Sequence, residues 1–129
     1  MLTKRDINMD IKVVNLKEKA DKIHELHKYK LIAELNDYQF KLVKAKREFV
    51  WHSHPETDEM FFVVEGRIKL AFRQEVFELK KGELIVVPKG VEHKPICDKE
   101  CTIMLVEPKG TLNTGNAGGV LTDTDLEWI

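Results

Sequence analysis

The sequence predicts an all-β protein, a sandwich or barrel, with a short N-terminal helix and an irregular C-terminal tail. Short runs of alternating or apolar residues recur across 30–108 at a spacing of roughly 8–12 residues, which is typical of strands in such folds. The turn-forming pairs between these runs include Asn36-Asp37, Glu65-Gly66 and Lys81-Gly82. Because 129 residues fit one domain, we expect a helical extension over 1–29, a barrel over 30–108 and a tail over 109–129 that packs on the barrel.

The N-terminal extension carries the signature of one short helix. Asn15 can cap it, and Glu18 follows three residues later, as in a capping box. Apolar residues at three- to four-residue spacing then form one stripe. The stripe consists of Leu16, Ala20, Ile23 and Leu26 or His27. Because the rest of the helix is charged, we expect a packing or dimerisation element.

The strands are predicted from alternation within each run and from the turns between runs. The predicted strands cover residues 31–35, 39–44, 48–51, 59–65, 67–72, 76–79, 83–87 and 102–107. The segment after residue 108 holds four of the seven glycines, which predicts an irregular tail. Leu126, Trp128 and Ile129 are the apolar residues expected to pin its end to the barrel.

Composition limits the classes of partner and compartment. The chain has 21 basic and 22 acidic side chains, which argues against a dedicated nucleic-acid binder. No apolar run approaches the length of about 18 residues that a membrane span requires, so no membrane partner is expected. The segment 1–10 lacks the apolar core of a signal peptide, and Cys97 and Cys101 are too few for a secreted disulfide framework. We therefore expect a cytoplasmic protein.

Three histidines and one glutamate in the β region form a candidate metal site. In a strand His52 and His54 would share one face, while Glu59 and His93 come from neighbouring strands. Three imidazoles and one carboxylate suit a divalent transition ion such as Zn, Mn, Fe, Ni, Co or Cu, whereas Mg and Ca prefer oxygen ligands alone. From these residues alone the alternative stays open that each histidine is an ordinary satisfied or exposed side chain.

Two motifs give the chain a specific resemblance. The first spans 46–66 as His-x-His, then Glu, then Gly, and the second spans 82–97 as Gly, Pro-x-Gly, then His. In this chain they are His52, His54, Glu59 and Gly66, followed by Gly82, Pro88, Gly90 and His93. The sequence thus resembles the cupin superfamily (type 2), and within it the small single-domain proteins described as phosphomannose-isomerase-like. It departs from the family pattern at Lys46, where the first motif opens on glycine, and at Cys97, where the second closes on asparagine.

The resemblance implies a jelly-roll barrel, also called a double-stranded β-helix, with one divalent transition metal (Zn, Mn, Fe or Ni) per chain. Its implied ligands are His52, His54, Glu59 and His93. It also implies a small-molecule ligand or substrate and favours a homodimer. The expected function is a metal-dependent enzyme acting on a small oxygenated metabolite, a sugar derivative or carboxylate, by isomerase, lyase or dioxygenase chemistry. The alternative is a cupin that binds or senses a small ligand without catalysis, and no catalytic residue is assigned.

Strand alternation also predicts what the walls of the barrel present. Val50, Phe61 and Val63 are expected on an apolar inner wall. Glu107 and Lys44 are inner-wall candidates for acid–base chemistry, although Glu107 is more simply explained as a rim carboxylate in water. The apolar residues of the opposite face are Trp51, Met60, Phe62 and Val64. This face needs a cover, which the helix, the tail or a second subunit can supply.

The two cysteines lie on either side of a predicted hairpin turn. Cys97 and Cys101 flank Asp98-Lys99-Glu100 and are expected to face each other as free thiols. Alternation turns Cys97 toward the barrel interior, either as a redox-sensitive neighbour of the metal or, more simply, as a small buried apolar residue.

Overall fold

The computed structural model describes residues 11–129, and within them it contains one helix and nine strands. The helix α1 spans Leu16–Asp21. The strands are β1 Lys30–Leu35, β2 Tyr38–Ala45, β3 Glu59–Glu65, β4 Arg67–Ala71, β5 Val76–Lys80, β6 Leu84–Val87, β7 Lys94–Ile96, β8 Cys101–Pro108 and β9 Glu127–Trp128. The all-β prediction is confirmed. The predictions made for 1–10 lie outside the described residues.

The strands form two sheets whose order is that of a jelly roll. One sheet has the order β6-β3-β8-β2-β1-β9 and the other β5-β4-β7. All pairs are antiparallel except β1 with β9, and β3 lies between β6 and β8 although neither neighbours it in the chain. The core between the sheets comprises Val43, Phe61, Val63, Ile68, Leu70, Leu79, Val87, Cys97, Cys101, Ile103 and Leu105. Burying these apolar side chains is the main contribution to the stability of the barrel.

The inner wall confirms two of the three predicted residues and corrects the third. Phe61 and Val63 are buried in the core, but Phe49 takes the place expected for Val50. The reason is that no regular strand forms over 48–51. The isolated bridges from Glu48 to Ile96 and from His52 to His93 replace a continuous strand pairing in this segment. Strict alternation is therefore lost between them.

The outer face of the large sheet is covered at one end only. Val64 packs against a second cluster formed by Ile23, Ile32 and Leu42, beside α1 and the C-terminal Ile129. Further along the same face Leu84 and Val86 of β6 remain 58% and 53% exposed. Trp51 does not belong to this face, contrary to the prediction. Its ring lies under the guanidinium of Arg73 at 3.9 Å and near the ammonium of Lys94.

The helix is shorter than the apolar stripe predicted. The Asn15 side chain accepts a hydrogen bond from the Glu18 amide at 2.9 Å, so the predicted cap is confirmed. The helix ends at Asp21, Ile23 is buried from the following turn, and Leu26 is exposed. A left-handed backbone at His27, with φ of 65°, then redirects the chain into β1. Among residues 11–129, no helix has the length and apolar character needed to cross a membrane.

Candidate metal centre

The four predicted ligands converge at one end of the barrel interior. His52 bridges to His93 just before β7, His54 lies two residues further on, and Glu59 begins β3. All four side chains are buried. One candidate ligand atom from each lies within 4.8 Å of the others, so the cluster could hold a metal ion. The predicted juxtaposition of these residues is therefore present in the fold.

Backbone carbonyls fix the tautomer of two of the imidazoles. His52 Nδ1 lies 2.9 Å from the Val50 carbonyl, and His93 Nδ1 lies 2.9 Å from the Val91 carbonyl. Since a carbonyl oxygen only accepts, each Nδ1 carries the proton and each Nε2 presents a lone pair to the site. Burial lowers the pKa of His52 to about 4, against the opposing effect of the Val50 carbonyl. The imidazole is thus neutral at pH 7, which is the form that binds a metal.

One carboxylate oxygen lies between two of the imidazoles. The same oxygen, Glu59 Oε1, lies 3.1 Å from His93 Nε2 and 3.2 Å from His54 Nε2. Burial opposes ionisation of Glu59, but contacts from Glu107, His54 and His93 hold its pKa below the ordinary value. His54 Nε2 and Glu59 Oε2 are buried without any hydrogen-bond partner. Buried acceptors that face one another are costly unless a cation or proton lies between them, and this donor set therefore fits a transition metal.

The C-terminal tail contacts the chain between the two histidines of the first motif and so helps to position His54. The Ser53 amide donates to the Asn116 side chain at 2.8 Å, and the Asn116 amide donates to the Ser53 carbonyl at 3.0 Å. Gly115 lies so close to the Ser53 carbonyl that any Cβ at this position would collide with it, and His54 Nδ1 is the next neighbour. The sequence signal for this packing is the glycine-rich run after residue 108.

A buried ion pair borders the cluster. It confirms the inner-wall placement of Glu107 against the alternative of a rim carboxylate, and it corrects the placement of Lys44. Glu107 is 1% exposed and accepts a hydrogen bond from Lys41 Nζ at 2.9 Å, so it is not a rim carboxylate in water. Lys41 is 2% exposed and also donates to the Thr111 carbonyl at 3.2 Å. Burial and the nearby Glu59 raise the pKa of Glu107. The inner-wall lysine is thus Lys41, whereas Lys44 lies on the outer side near α1.

Aromatic rings border two of the imidazoles, His52 and His93. The Phe49 ring contacts His52 edge-to-face, with ring centroids 5.4 Å apart. Phe61 and Phe72 lie 5.8 and 6.4 Å from His93 by the same measure. Phe61 was predicted from alternation, but Phe49 and Phe72 were not. The low-dielectric surroundings strengthen any charge interaction made inside the cluster.

The comparisons with known proteins agree with this fold. The family model for the cupin domain matches residues 39–107. A solved cupin-2 domain containing protein from Shewanella frigidimarina is 50% identical, with a TM-score of 0.73 over 75% of this chain and 95% of that one. The solved protein NMB1881 from Neisseria meningitidis is 31% identical, with a TM-score of 0.69 over 76% of this chain and 100% of that one.

A curated relative extends the same likeness at the level of sequence. The uncharacterized protein YdbB of Bacillus subtilis is 36% identical over 84 residues, which are 64% of this chain and 74% of that protein. The matched family model covers more than half of the chain, and the jelly-roll order of the sheets accords with it. The chain therefore belongs to the cupin family.

Proposed function

We propose that His52, His54, Glu59 and His93 bind one divalent transition metal ion, and that the protein is a metal-dependent enzyme acting on a small oxygenated metabolite. The observation that carries the proposal is the convergence of three buried imidazoles and one buried carboxylate, whose candidate ligand atoms lie within 4.8 Å of one another. Three imidazole nitrogens and one carboxylate match the preferences of Zn, Mn, Fe or Ni. Among metabolites, a sugar derivative or a carboxylate offers the oxygen atoms that such an ion binds.

The residues around the cluster each have a definite part in this proposal. The Val50 and Val91 carbonyls orient the imidazoles, and the tail positions the loop that carries His54. The aromatic rings give two of the imidazoles an apolar border. The bound ion would supply Lewis-acid or redox chemistry to isomerase, lyase or dioxygenase reactions.

A second candidate function is the binding or sensing of a small ligand without catalysis. It is favoured by one observation, which is that the interior acid–base group Glu107 is already engaged by Lys41. Turnover of a candidate metabolite by the metal-loaded protein separates the two functions, since a binding module releases its ligand unchanged.

We also propose that the protein is a homodimer formed through the outer face of the large sheet. The exposed residues Leu84 and Val86 continue the half-buried row of Met60 and Phe62 on the outer face of the large sheet. A contiguous apolar face of this kind favours a homodimer. Val86→Glu should then halve the mass measured by light scattering, whereas Val76→Glu on the small sheet should not change it.

The composition and the two free cysteines favour the cytoplasm.

Metal analysis of untagged protein by mass spectrometry tests the site directly. We expect about one transition metal ion per chain in the wild type, and strongly reduced occupancy in His52→Ala and His93→Ala. His24→Ala is the matched control because His24 is exposed and outside the cluster. Circular dichroism shows whether each variant keeps its sheets. Full occupancy in both ligand variants would contradict the assignment.

A further inference from the structure

We propose that the groove between the loop 54–57 and the segment 108–115 binds a small carboxylate anion, and that the bound anion strengthens metal binding. The anion accepts a hydrogen bond from His54 Nδ1 and pairs with the ammonium group of Lys109. It binds on the side of the imidazole that faces away from the metal centre. This inference rests on the proposed function, because it concerns how one candidate metal ligand is held.

The three imidazoles of the metal centre are held in different ways. His52 Nδ1 donates to the Val50 carbonyl and His93 Nδ1 donates to the Val91 carbonyl, each at 2.9 Å. His54 Nδ1 has no such partner within residues 11–129, although its Nε2 faces Glu59 in the cluster. A histidine that binds a metal through Nε2 carries its proton on Nδ1, and it almost always donates that proton to a carboxylate, a carbonyl or a water. His54 thus has a donor to which the described part of the chain supplies no acceptor.

The His54 ring borders a surface groove with a volume of about 410 Å³. The ring is 5% exposed, so only one edge of it reaches the groove. This edge carries Nδ1, because Nε2 is buried in the cluster. Gly115 lies in the lining next to the ring, and a Cβ at this position would come within 3.1 Å of Nδ1. The missing side chain of Gly115 therefore leaves the donor accessible.

Hydrogen bonds within the chain fix both walls of the groove. The Gly90 amide donates to the His54 carbonyl at 2.9 Å and so anchors the loop 54–57. In the opposite wall the Thr111 hydroxyl donates to the Pro108 carbonyl at 2.7 Å. Because these bonds form without a ligand, the groove is preorganised and binding need not order its walls.

The charges in the lining favour a singly charged oxyanion. Lys109 is exposed and forms no ion pair within residues 11–129, and its amide is fixed by the Asp37 carbonyl at 2.7 Å. An imidazole N–H and an ammonium group together suit an oxyanion, whose oxygens accept from both. Glu56 is the acidic side chain of the lining, and it is also exposed. Because its charge repels anions, the groove suits a carboxylate better than a doubly charged phosphate.

The segment 108–115 connects the groove to the metal centre at two points. Gly115 packs against the Ser53 carbonyl, next to His54. The Thr111 carbonyl accepts a hydrogen bond from the buried Lys41 Nζ at 3.2 Å. An anion held by this segment and by His54 thus fixes the orientation of a candidate ligand. By linkage, the factor by which the anion raises metal affinity is also the factor by which the metal raises anion affinity.

Nuclear magnetic resonance of zinc-loaded protein with isotope-labelled histidine tests the contact, with acetate as the probe. Acetate should shift the Nδ1–H signal of His54 and leave those of His52 and His93 in place, because their protons are already bound to carbonyls. Lys109→Gln should weaken acetate binding about tenfold or more, as loss of a charge-assisted contact predicts. Lys99→Gln is the matched control, since Lys99 is equally exposed and lies outside the groove.

Zinc affinity, measured by competition with a chelator, tests the coupling. Saturating acetate should tighten zinc binding to the wild type about tenfold, the effect expected of a hydrogen-bond partner behind a metal ligand. Without acetate, Lys109→Gln should bind zinc as the wild type does, but acetate should then change its zinc affinity little. Glu56→Gln should bind acetate more tightly than the wild type, because the repelling charge is removed.

The outcomes separate failure of this inference from failure of the proposed function. A wild type that takes up no zinc contradicts the metal site itself. In zinc-loaded protein, a His54 signal that does not respond to acetate contradicts the anion site. An acetate effect on zinc affinity that is equal in wild type and Lys109→Gln shows that acetate binds the ion directly, and it contradicts the groove.

Two further results would overturn the details of the proposal. Loss of zinc affinity in Glu56→Gln without acetate shows that Glu56 is itself the partner of His54, which leaves no place for an external anion. Tighter binding of inorganic phosphate than of acetate contradicts the choice of a carboxylate. Circular dichroism on each variant shows that its sheets are intact.

Discussion

The two ends of the barrel interior are built by the same strands but carry opposite chemistry. β3 begins at Glu59 in the candidate metal centre and continues to Val63 in the apolar core. β8 begins at Cys101 in the apolar core and brings Glu107, its penultimate residue, beside Glu59. At the apolar end every inward side chain packs on apolar neighbours. At the metal end charged and imidazole groups are buried, which costs free energy unless each is paired. Stability therefore comes mainly from one end, and function is expected at the other.

The largest effect should follow from breaking the ion pair at the metal end. Lys41→Met leaves Glu107 buried without its partner, and we expect a loss of about 3–5 kcal/mol in the free energy of unfolding. Chemical denaturation measures this loss. The double variant Lys41→Met, Glu107→Leu should return to within about 1 kcal/mol of the wild type, because both charges are then gone.

An exposed ion pair provides the matched control for Lys41. Lys69 pairs with Asp98 at 3.2 Å on the surface, so Lys69→Met should change the unfolding free energy by less than about 1 kcal/mol. If Lys41→Met were as mild as Lys69→Met, the metal end would not depend on pairing, and the contrast between the two ends would be lost.

Zinc should stabilise the metal end of the wild type, and Glu59→Gln should remove that effect. Excess zinc at about 100 times its dissociation constant predicts a gain of about 2.7 kcal/mol. In Glu59→Gln the amide can donate to the imidazole lone pairs that now face a carboxylate, so the metal-free variant should be more stable than the metal-free wild type by about 1 kcal/mol. Thermal unfolding with and without zinc measures both the stabilisation by zinc and the stability difference between the two metal-free proteins. A metal-free variant less stable than wild type would contradict the lone-pair argument.

The convergence of the four candidate ligands was predictable from the sequence, but its structural cause was not. His52, His54, Glu59 and His93 were identified by their motif spacing, and they do converge. The expected mechanism was alternation along a strand, whereas the segment is irregular and the tail holds it through Ser53. Long-range packing of this kind leaves no local pattern, so the role of Gly115 and Asn116 could not be deduced from the sequence.

The remaining differences between the predictions and the structure arise where strand register or very short elements decide the outcome. Lys44 was placed on the inner wall and Lys41 was not, because alternation requires the absolute register of β2 against β8, which only the fold supplies. Phe49 takes the place expected for Val50 because no regular strand forms over 48–51. The fold class and most strand positions were predictable, since each strand has its own turn signals. β9, with two residues, has no periodicity to detect.

Gly115→Ala should lower both the stability of the protein and its affinity for zinc, because Gly115 lies in the tail that packs against the segment 52–54. A Cβ at residue 115 collides with the Ser53 carbonyl, and φ of 51° is unfavourable for alanine. We expect a loss of about 1–2 kcal/mol in stability, together with a lower zinc affinity. Gly118→Ala is the control, because Gly118 also has a positive φ but open space around it. Equal zinc affinities in the two variants, measured by competition with a chelator, would show that the tail does not position His54.

The smallest effect should come from the apolar end, and it should be independent of metal. Ile103 is buried in the core on β8, two positions from the Cys101 end and four from Glu107. Ile103→Val removes one methylene, and we expect a loss of about 1 kcal/mol in the unfolding free energy. Because Ile103 does not contact the ligands, the additional stability conferred by zinc should be the same as in the wild type. A change in the zinc increment would mean that the two ends are coupled through β8, and that core packing sets the geometry of the metal centre.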